Sequence, residues 1–468
     1  MNTTDDSGFA LIKNGNMSRF QIGIIALCML IAGLDGFDVL VVAYTAPAIS
    51  AEWHLGPAQI GLLLSAGLAG MGFGALFVAP LGDWLGRRPA VIICMLILCL
   101  GMLVSALSRS VEELAVMRVV TGLGIGGILA NINIVVSEYS SNKRRALCIS
   151  LMAMGYPIGA TLGGLLSVYL INDHGWRSVY IFGGCVAALI LPWVLWQLPE
   201  SLDFLWARQP HNALKKTNKI LRAMHLEELD SLPPLSPSQK NNSGKYFSLL
   251  LKPEIASRTF AACAVYFCVM MTSYFLLSWM PKMLTELGLS QSIGISGSLL
   301  LNIGGMVGCL LFGFLAPKLG PRRLAAAFMI GLFVTAILFS LAPAAAVVLL
   351  MTSVAVGFCL YTSINTLYVL VPQVFPTMLR STGTGLAMSV GRIGAVSGPF
   401  VAGMLMAKEW SRPAYILVLA LPMLVAAFSL IWLRQSSTPI FIDNVSPRED
   451  ETPSVRAPAD ANPTVKLN

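Results

Sequence analysis

Twelve stretches of mostly apolar residues, each about 20 residues or longer, alternate with short polar breaks along most of this chain. They lie near 21–49, 59–80, 90–107, 113–136, 146–171, 178–198, 257–283, 293–316, 323–341, 345–372, 380–406 and 413–434. Runs of that length predict α-helices that cross a bilayer. The strands of a β-barrel would be short and would alternate apolar with polar, which these runs do not. The expected fold is all-α, integral to the membrane, with twelve spans in two groups of six. A long polar stretch from about Pro199 to Ala256 separates the groups. It holds Pro233, Pro234 and Pro237 and predicts a linker with helical pieces near 211–229. The expected organisation is an N-terminal tail over 1–20, a six-helix bundle over 21–198 and a central loop over 199–256. A second bundle follows over 257–434, and a disordered Pro-, Ser- and acid-rich tail over 435–468.

Composition agrees with a bilayer environment. Of 468 residues, 56% are hydrophobic and only 12% charged, with a mean hydropathy of +0.74. A soluble domain needs more surface charge than that. The net charge of +8 invites a nucleic-acid partner, yet its placement argues against one. If both termini share one side, 24 of the 31 Lys and Arg residues fall there, including Arg87, Arg88, Lys143, Arg144, Arg145, Arg322 and Arg323. By the positive-inside rule that side is the cytoplasm, so both termini are expected there. The polar first 20 residues carry no cleavage pattern, which makes the first span an uncleaved insertion signal. Nine scattered cysteines without a CxxC pair and four histidines in loops give no metal or cofactor motif.

Charges inside the spans carry the candidate chemistry. Asp35 and Asp38 lie three residues apart on one face of the first span, about 21 and 25 Å from its cytoplasmic start. Arg118 lies about 7 Å below the outer end of the fourth span, which runs the opposite way, so it reaches a height close to that of Asp38. Arg392 sits about 18 Å into the eleventh span, near the midplane. Intramembrane charges are costly unless paired, hydrated or neutralised, and they mark ion or substrate pathways. Two close carboxylates disfavour each other's ionised form while a nearby arginine favours it, a balance suited to proton coupling. The planar fork of Arg392 suits a carboxylate ligand, with a lasting pair to Asp35 as the alternative reading. Flat walls for an aromatic acid would come from the span tyrosines Tyr44, Tyr156, Tyr266, Tyr274, Tyr361 and Tyr368, foremost Tyr156, Tyr266 and Tyr361, with Asn365 as a polar contact.

The halves resemble each other at an offset of about 235 residues. Gly82-Asp83-Trp84-Leu85-Gly86-Arg87-Arg88 answers to Ala316-Pro317-Lys318-Leu319-Gly320-Pro321-Arg322-Arg323, and Glu138 with Arg145 answers to Gln373 with Arg380. With Arg118-Val119-Val120-Thr121-Gly122-Leu123-Gly124 and Leu198-Pro199-Glu200-Ser201, these motifs resemble the major facilitator superfamily. Asp35-Gly36-Phe37-Asp38, Ser137-Glu138-Tyr139 and Gly391-Arg392-Ile393-Gly394 resemble its aromatic acid:proton symporter family more narrowly. Pro317 and Gln373 depart from the acids usual at those places.

The resemblance implies a monomeric, non-enzymatic inner-membrane carrier without cofactor. It would import a benzoate- or hydroxybenzoate-like carboxylate with protons, by alternating access. Proton coupling would fall to Asp35, Asp38 and Arg118, and substrate contact to Arg392, Tyr156, Tyr266, Tyr361 and Asn365. A cytoplasmic gate would comprise Asp83, Arg87, Arg88, Glu138, Arg145 and Arg380. The alternatives are a muconate- or nicotinate-like acid as cargo, or a sensor that binds without transporting.

Overall fold

Ser18 starts the first helix by a reciprocal cap. Its hydroxyl accepts from the Gln21 backbone N–H, and the Gln21 side chain accepts from the Ser18 N–H. From there α1 runs over Arg19–Trp53 without interruption. The computed structural model describes residues 17–141, 144–232, 249–375 and 379–430. The expected linker prolines at 233, 234 and 237, Lys143, the tail over 435–468 and most of the tail over 1–20 lie outside these residues, as does the side chain of Pro317.

Eleven further long helices follow: α2 (Pro57–Phe73), α3 (Arg87–Ser105), α4 (Val111–Glu138), α5 (Arg145–His174), α6 (Arg177–Gln197), α7 (Pro253–Glu286), α8 (Gln291–Leu319), α9 (Pro321–Leu341), α10 (Ala346–Val374), α11 (Arg380–Ala407) and α12 (Arg412–Ser429). Each is long and apolar enough to span a membrane. α2 continues through a π-helical turn over Gly74–Val78 and a short piece over Leu81–Trp84, because Pro80 has no N–H for the regular ladder. No strand occurs among the described residues.

The central loop is shorter in helix than expected. It forms two pieces, Leu202–Arg208 and Ala213–Ala223, and the second does not reach 229. His225 takes a left-handed backbone (φ 61°), which ends the helix. The Asn218 amide then holds the returning chain by bonding both backbone groups of Leu229.

Within the first six helices α1 packs along α5, and α4 fills between α2 and α3; within the last six α7 packs along α11, and α8 along α10. These pairings are equivalent under the sequence repeat, so the molecule is two pseudo-symmetric six-helix halves. The halves meet through α2 on α11, α5 on α8 and α1 on α7.

Both described ends lie on one face of the array, here termed the terminus side, because twelve crossings return the chain to its starting face. The halves are sealed at the opposite, far side. There the Ser65 hydroxyl donates to the Val396 carbonyl at 2.9 Å, and the Lys282 ammonium reaches the Ser50 hydroxyl at 3.4 Å. Gly61 and Gly403 bring α2 and α11 into backbone contact: a Cβ on Gly61 would sit 2.9 Å from the Pro399 carbonyl oxygen and 3.0 Å from the Gly403 Cα.

Candidate functional site

The midsection of α1 places its two acids in different company. Gly36, between them, packs so tightly on α5 that a Cβ there would overlap the Tyr156 carbonyl. That contact fixes how α1 is turned. Asp38 meets α4, where the Arg118 guanidinium donates to its Oδ1 at 2.8 Å. The same guanidinium donates to the Ser105 hydroxyl at 3.0 Å and lies 5.0 Å from the centre of the Tyr180 ring. The Ser105 hydroxyl donates in turn to the Gly101 carbonyl at 2.6 Å, and the Tyr180 hydroxyl shares a hydrogen bond with Thr45 at 3.2 Å. Arg118 is 1% exposed and Asp38 4%. Such a pair is screened little by solvent, and losing either partner would strand a buried charge.

Asp35 has none of this. It is 2% exposed, and neither carboxylate oxygen has a hydrogen-bond partner. The charges that act on it are those of Arg392 and Asp38. Arg392, half-buried on α11, stands among Tyr274, Tyr368, Asp35 and Tyr156. A cavity of about 50 Å³ opens beside it, lined by Tyr266, Met270, Tyr274, Ile364, Tyr368, Met388 and Arg392. Met270 is the repeat counterpart of Asp35. Asp35 is not among the lining residues; it is tied to the cavity through its charge interaction with Arg392.

Tyr266 and Arg392, both expected from sequence, line this cavity. Tyr156 stands near Arg392 and Asp35 from the α5 side. Tyr361 instead donates to the Asn302 amide oxygen at 2.6 Å. Asn365 is half-buried on α10 and is not among the lining residues, being about 100° round the helix from Ile364. Tyr274 and Tyr368, two of the span tyrosines offered for the walls, also line it, whereas Met270, Ile364 and Met388 were not expected there. A signal existed: Tyr266, Met270 and Tyr274 are spaced by four on α7, as are Ile364 and Tyr368 on α10, and Met388 and Arg392 on α11.

The expected gate residues form bonds inside the first half. Asp83 and Arg87 make an ion pair, and Arg87 also donates to the Asn131 amide oxygen at 3.2 Å. Arg88 donates to the Leu195 carbonyl at 2.6 Å, and Arg145 to the Ser137 carbonyl at 3.0 Å. Glu138 accepts from the Ser201 hydroxyl at 2.9 Å rather than from an arginine. Glu200 does the work not anticipated for it: its carboxylate accepts the backbone N–H groups of Arg87, Arg88 and Ser201, holding the start of α3. Arg380 is exposed at the start of α11.

The sequence matches the Major Facilitator Superfamily over residues 26–399. It is 32% identical over 422 residues to a gallate transporter of Pseudomonas putida, covering 90% of this chain and 93% of that protein. It is 28% identical over 425 residues to the 4-hydroxybenzoate transporter PcaK of Acinetobacter baylyi, covering 90% and 93%. Its fold is similar to the partially occluded, inward-open xylose transporter XylE of E. coli, with a TM-score of 0.70 at 16% identity over 90% of this chain and 100% of that one. These relatives are carriers, not enzymes. The chain belongs to the Major Facilitator Superfamily, and its sequence is similar to that superfamily's aromatic-acid transporters.

Proposed function

We propose that this chain is a monomeric proton-coupled carrier that imports a small aromatic carboxylate across the inner membrane by alternating access. The distribution of Lys and Arg supports a cytoplasmic terminus side. The names of the similar proteins support an aromatic acid as cargo. The observation that carries the coupling is the unbonded, buried Asp35 facing the surroundings of Arg392.

The proposed mechanism follows from the unequal company of the two acids. Asp38 is held by Arg118 and serves as a fixed latch between α1 and α4. Asp35 is the proton site. When ionised, it attracts Arg392 and competes with an incoming carboxylate for the guanidinium. A proton on Asp35 removes that competition and leaves Arg392 free for a bidentate grip on the anion. The proton therefore loads first, and proton and anion together leave the centre neutral. The 50 Å³ cavity is small beside ordinary ligand pockets of about 300–1,000 Å³, so the halves must part to admit a ring. On the cytoplasmic side, Asp83, Arg87, Arg88, Glu138, Arg145 and Arg380 frame the gate.

Uptake into proteoliposomes with an acidic exterior tests this reading. Labelled 4-hydroxybenzoate or gallate should accumulate against its gradient and collapse to equilibrium when a protonophore is added. Saturable binding with no gradient-driven accumulation would favour a sensor and overturn the carrier reading.

A further inference from the structure

We propose that Tyr156 and Tyr266 read hydroxyl groups on the substrate ring, so that this carrier is matched to phenolic carboxylates and discriminates against the unsubstituted ring. The inference rests on the aromatic-carboxylate reading above and refines it.

Apart from Tyr274, which faces the Arg392 guanidinium, and the exposed Tyr368, the tyrosines around the centre fall into two groups. Those that hold the scaffold spend their hydroxyls on it: Tyr44 donates to the Ala160 carbonyl at 2.9 Å, Tyr361 to Asn302 at 2.6 Å, and Tyr180 shares a bond with Thr45 at 3.2 Å. The hydroxyls of Tyr156 and Tyr266 are buried and have no partner. A buried polar group without a bond is costly, and where a structure keeps one it calls for a reason.

The two come from different halves, and both lie near Arg392. Tyr266 comes from α7, with its ring against Gly391, the residue before Arg392: a Cβ on Gly391 would lie 3.0 Å from the Tyr266 ring. Tyr156 comes from α5, near Asp35 and Arg392. A carboxylate on Arg392 would therefore send its ring between a hydroxyl from each half. A phenol can donate to one tyrosine and accept from the other, since each hydroxyl does both. Of the remaining walls, Met270, Ile364 and Met388 are apolar, Tyr274 interacts with Arg392 itself and Tyr368 is half exposed; the two methionines adapt to ring shape without reading it. Discrimination thus falls to the hydroxyls. A site built to bond a substrate hydroxyl rejects the analogue that lacks it far more strongly than an apolar pocket rejects an added one.

The test is equilibrium binding to the purified full-length carrier at fixed pH, with benzoate, 3-hydroxybenzoate, 4-hydroxybenzoate and 3,4,5-trihydroxybenzoate as probes. The wild-type protein should bind the best hydroxylated acid at least about tenfold more tightly than benzoate. In the Tyr156→Phe/Tyr266→Phe variant that ratio should fall to within about twofold, with an unchanged thermal unfolding midpoint in detergent as the control for folding. Each single variant should lose part of the preference, which keeps the assignment testable should the double variant not fold. Equal wild-type affinity for benzoate and the hydroxylated acids would overturn the proposal, as would a preference that survives both substitutions. If no acid in the series binds, the aromatic-carboxylate reading itself falls, an outcome distinct from loss of selectivity alone.

Discussion

The same positions in the two halves hold opposite chemistry. In the first half, Asp38, Arg118, Ser105 and Thr45 surround a buried ion pair beneath Tyr180. About 235 residues later the equivalents are Ser273, Ser353, Ser340 and Met280, with Tyr415 in the place of Tyr180. Ser353 there turns back on its own helix, donating to the Leu349 carbonyl at 2.7 Å, and its nearest cross-helix partner is the Met280 sulfur at 3.6 Å. The arginine ties at the helix ends are shared, even though Gln373 stands where the first half has Glu138. Arg177 donates to the Ser108 carbonyl and its counterpart Arg412 to the Ala342 carbonyl; Arg88 reaches the Leu195 carbonyl and Arg322 the Leu430 carbonyl. The second six-helix half therefore packs without an ion pair at this place but keeps its arginine ties at the ends. Packing at this position does not require buried charge, which is consistent with a functional use of the first half's pair. The second half contributes the complementary part, with Arg392 and the cavity walls.

Transplanting one half's chemistry into the other gives the largest expected effect. Asp38→Asn leaves Arg118 buried without its anion and should lower stability by about 3–5 kcal/mol. Thermal unfolding in detergent checks this. The Asp38→Ser/Arg118→Ser variant copies the second half and should recover most of that loss while failing in coupled transport. If the double variant is no more stable than the single one, the comparison between the halves is wrong.

Next in size is Asp35→Asn. With one proton per anion, a gradient of two pH units sustains about hundredfold accumulation, since each unit is worth about 1.4 kcal/mol. The variant should accumulate nothing above equilibrium, yet still exchange internal for external substrate. Counterflow measured beside net uptake separates the two behaviours.

Arg392→Lys keeps the charge but loses the planar fork. Substrate affinity should weaken by about tenfold with little change in expression. Unchanged affinity would make Arg392 a purely structural charge. The smallest effect is at the far-side seal. Gly61→Ala would press a methyl on Pro399 and Gly403 and should shift the balance toward far-side opening by about 1 kcal/mol. Spin-label distances between the far-side ends of α2 and α11 would report it.

Much of this was legible in the sequence, and the gaps have physical causes. The number and order of the spans follow from apolar run length alone. The pairing height of Asp38 and Arg118 follows from the helical rise, because opposite helix directions can be counted from the loops. Facing could not be read in the same way. These spans are apolar on nearly every side, so periodicity does not say which stripe looks inward. The sequence therefore offers Asn365 where Ile364 lines the cavity, and Tyr361, whose hydroxyl is committed to Asn302. The role of Glu200 was hidden for another reason. It caps backbone N–H groups more than a hundred positions away, and no local pattern encodes such a contact.

The central claim is that the proton on Asp35 and the substrate anion are linked through Arg392. Substrate affinity measured across pH in the wild-type protein and in Asp35→Asn tests it most directly. The account predicts that wild-type affinity weakens as pH rises and Asp35 ionises to claim Arg392, whereas the variant binds with nearly constant affinity over the same range. A variant that keeps the wild-type pH dependence would place the proton elsewhere and contradict the account.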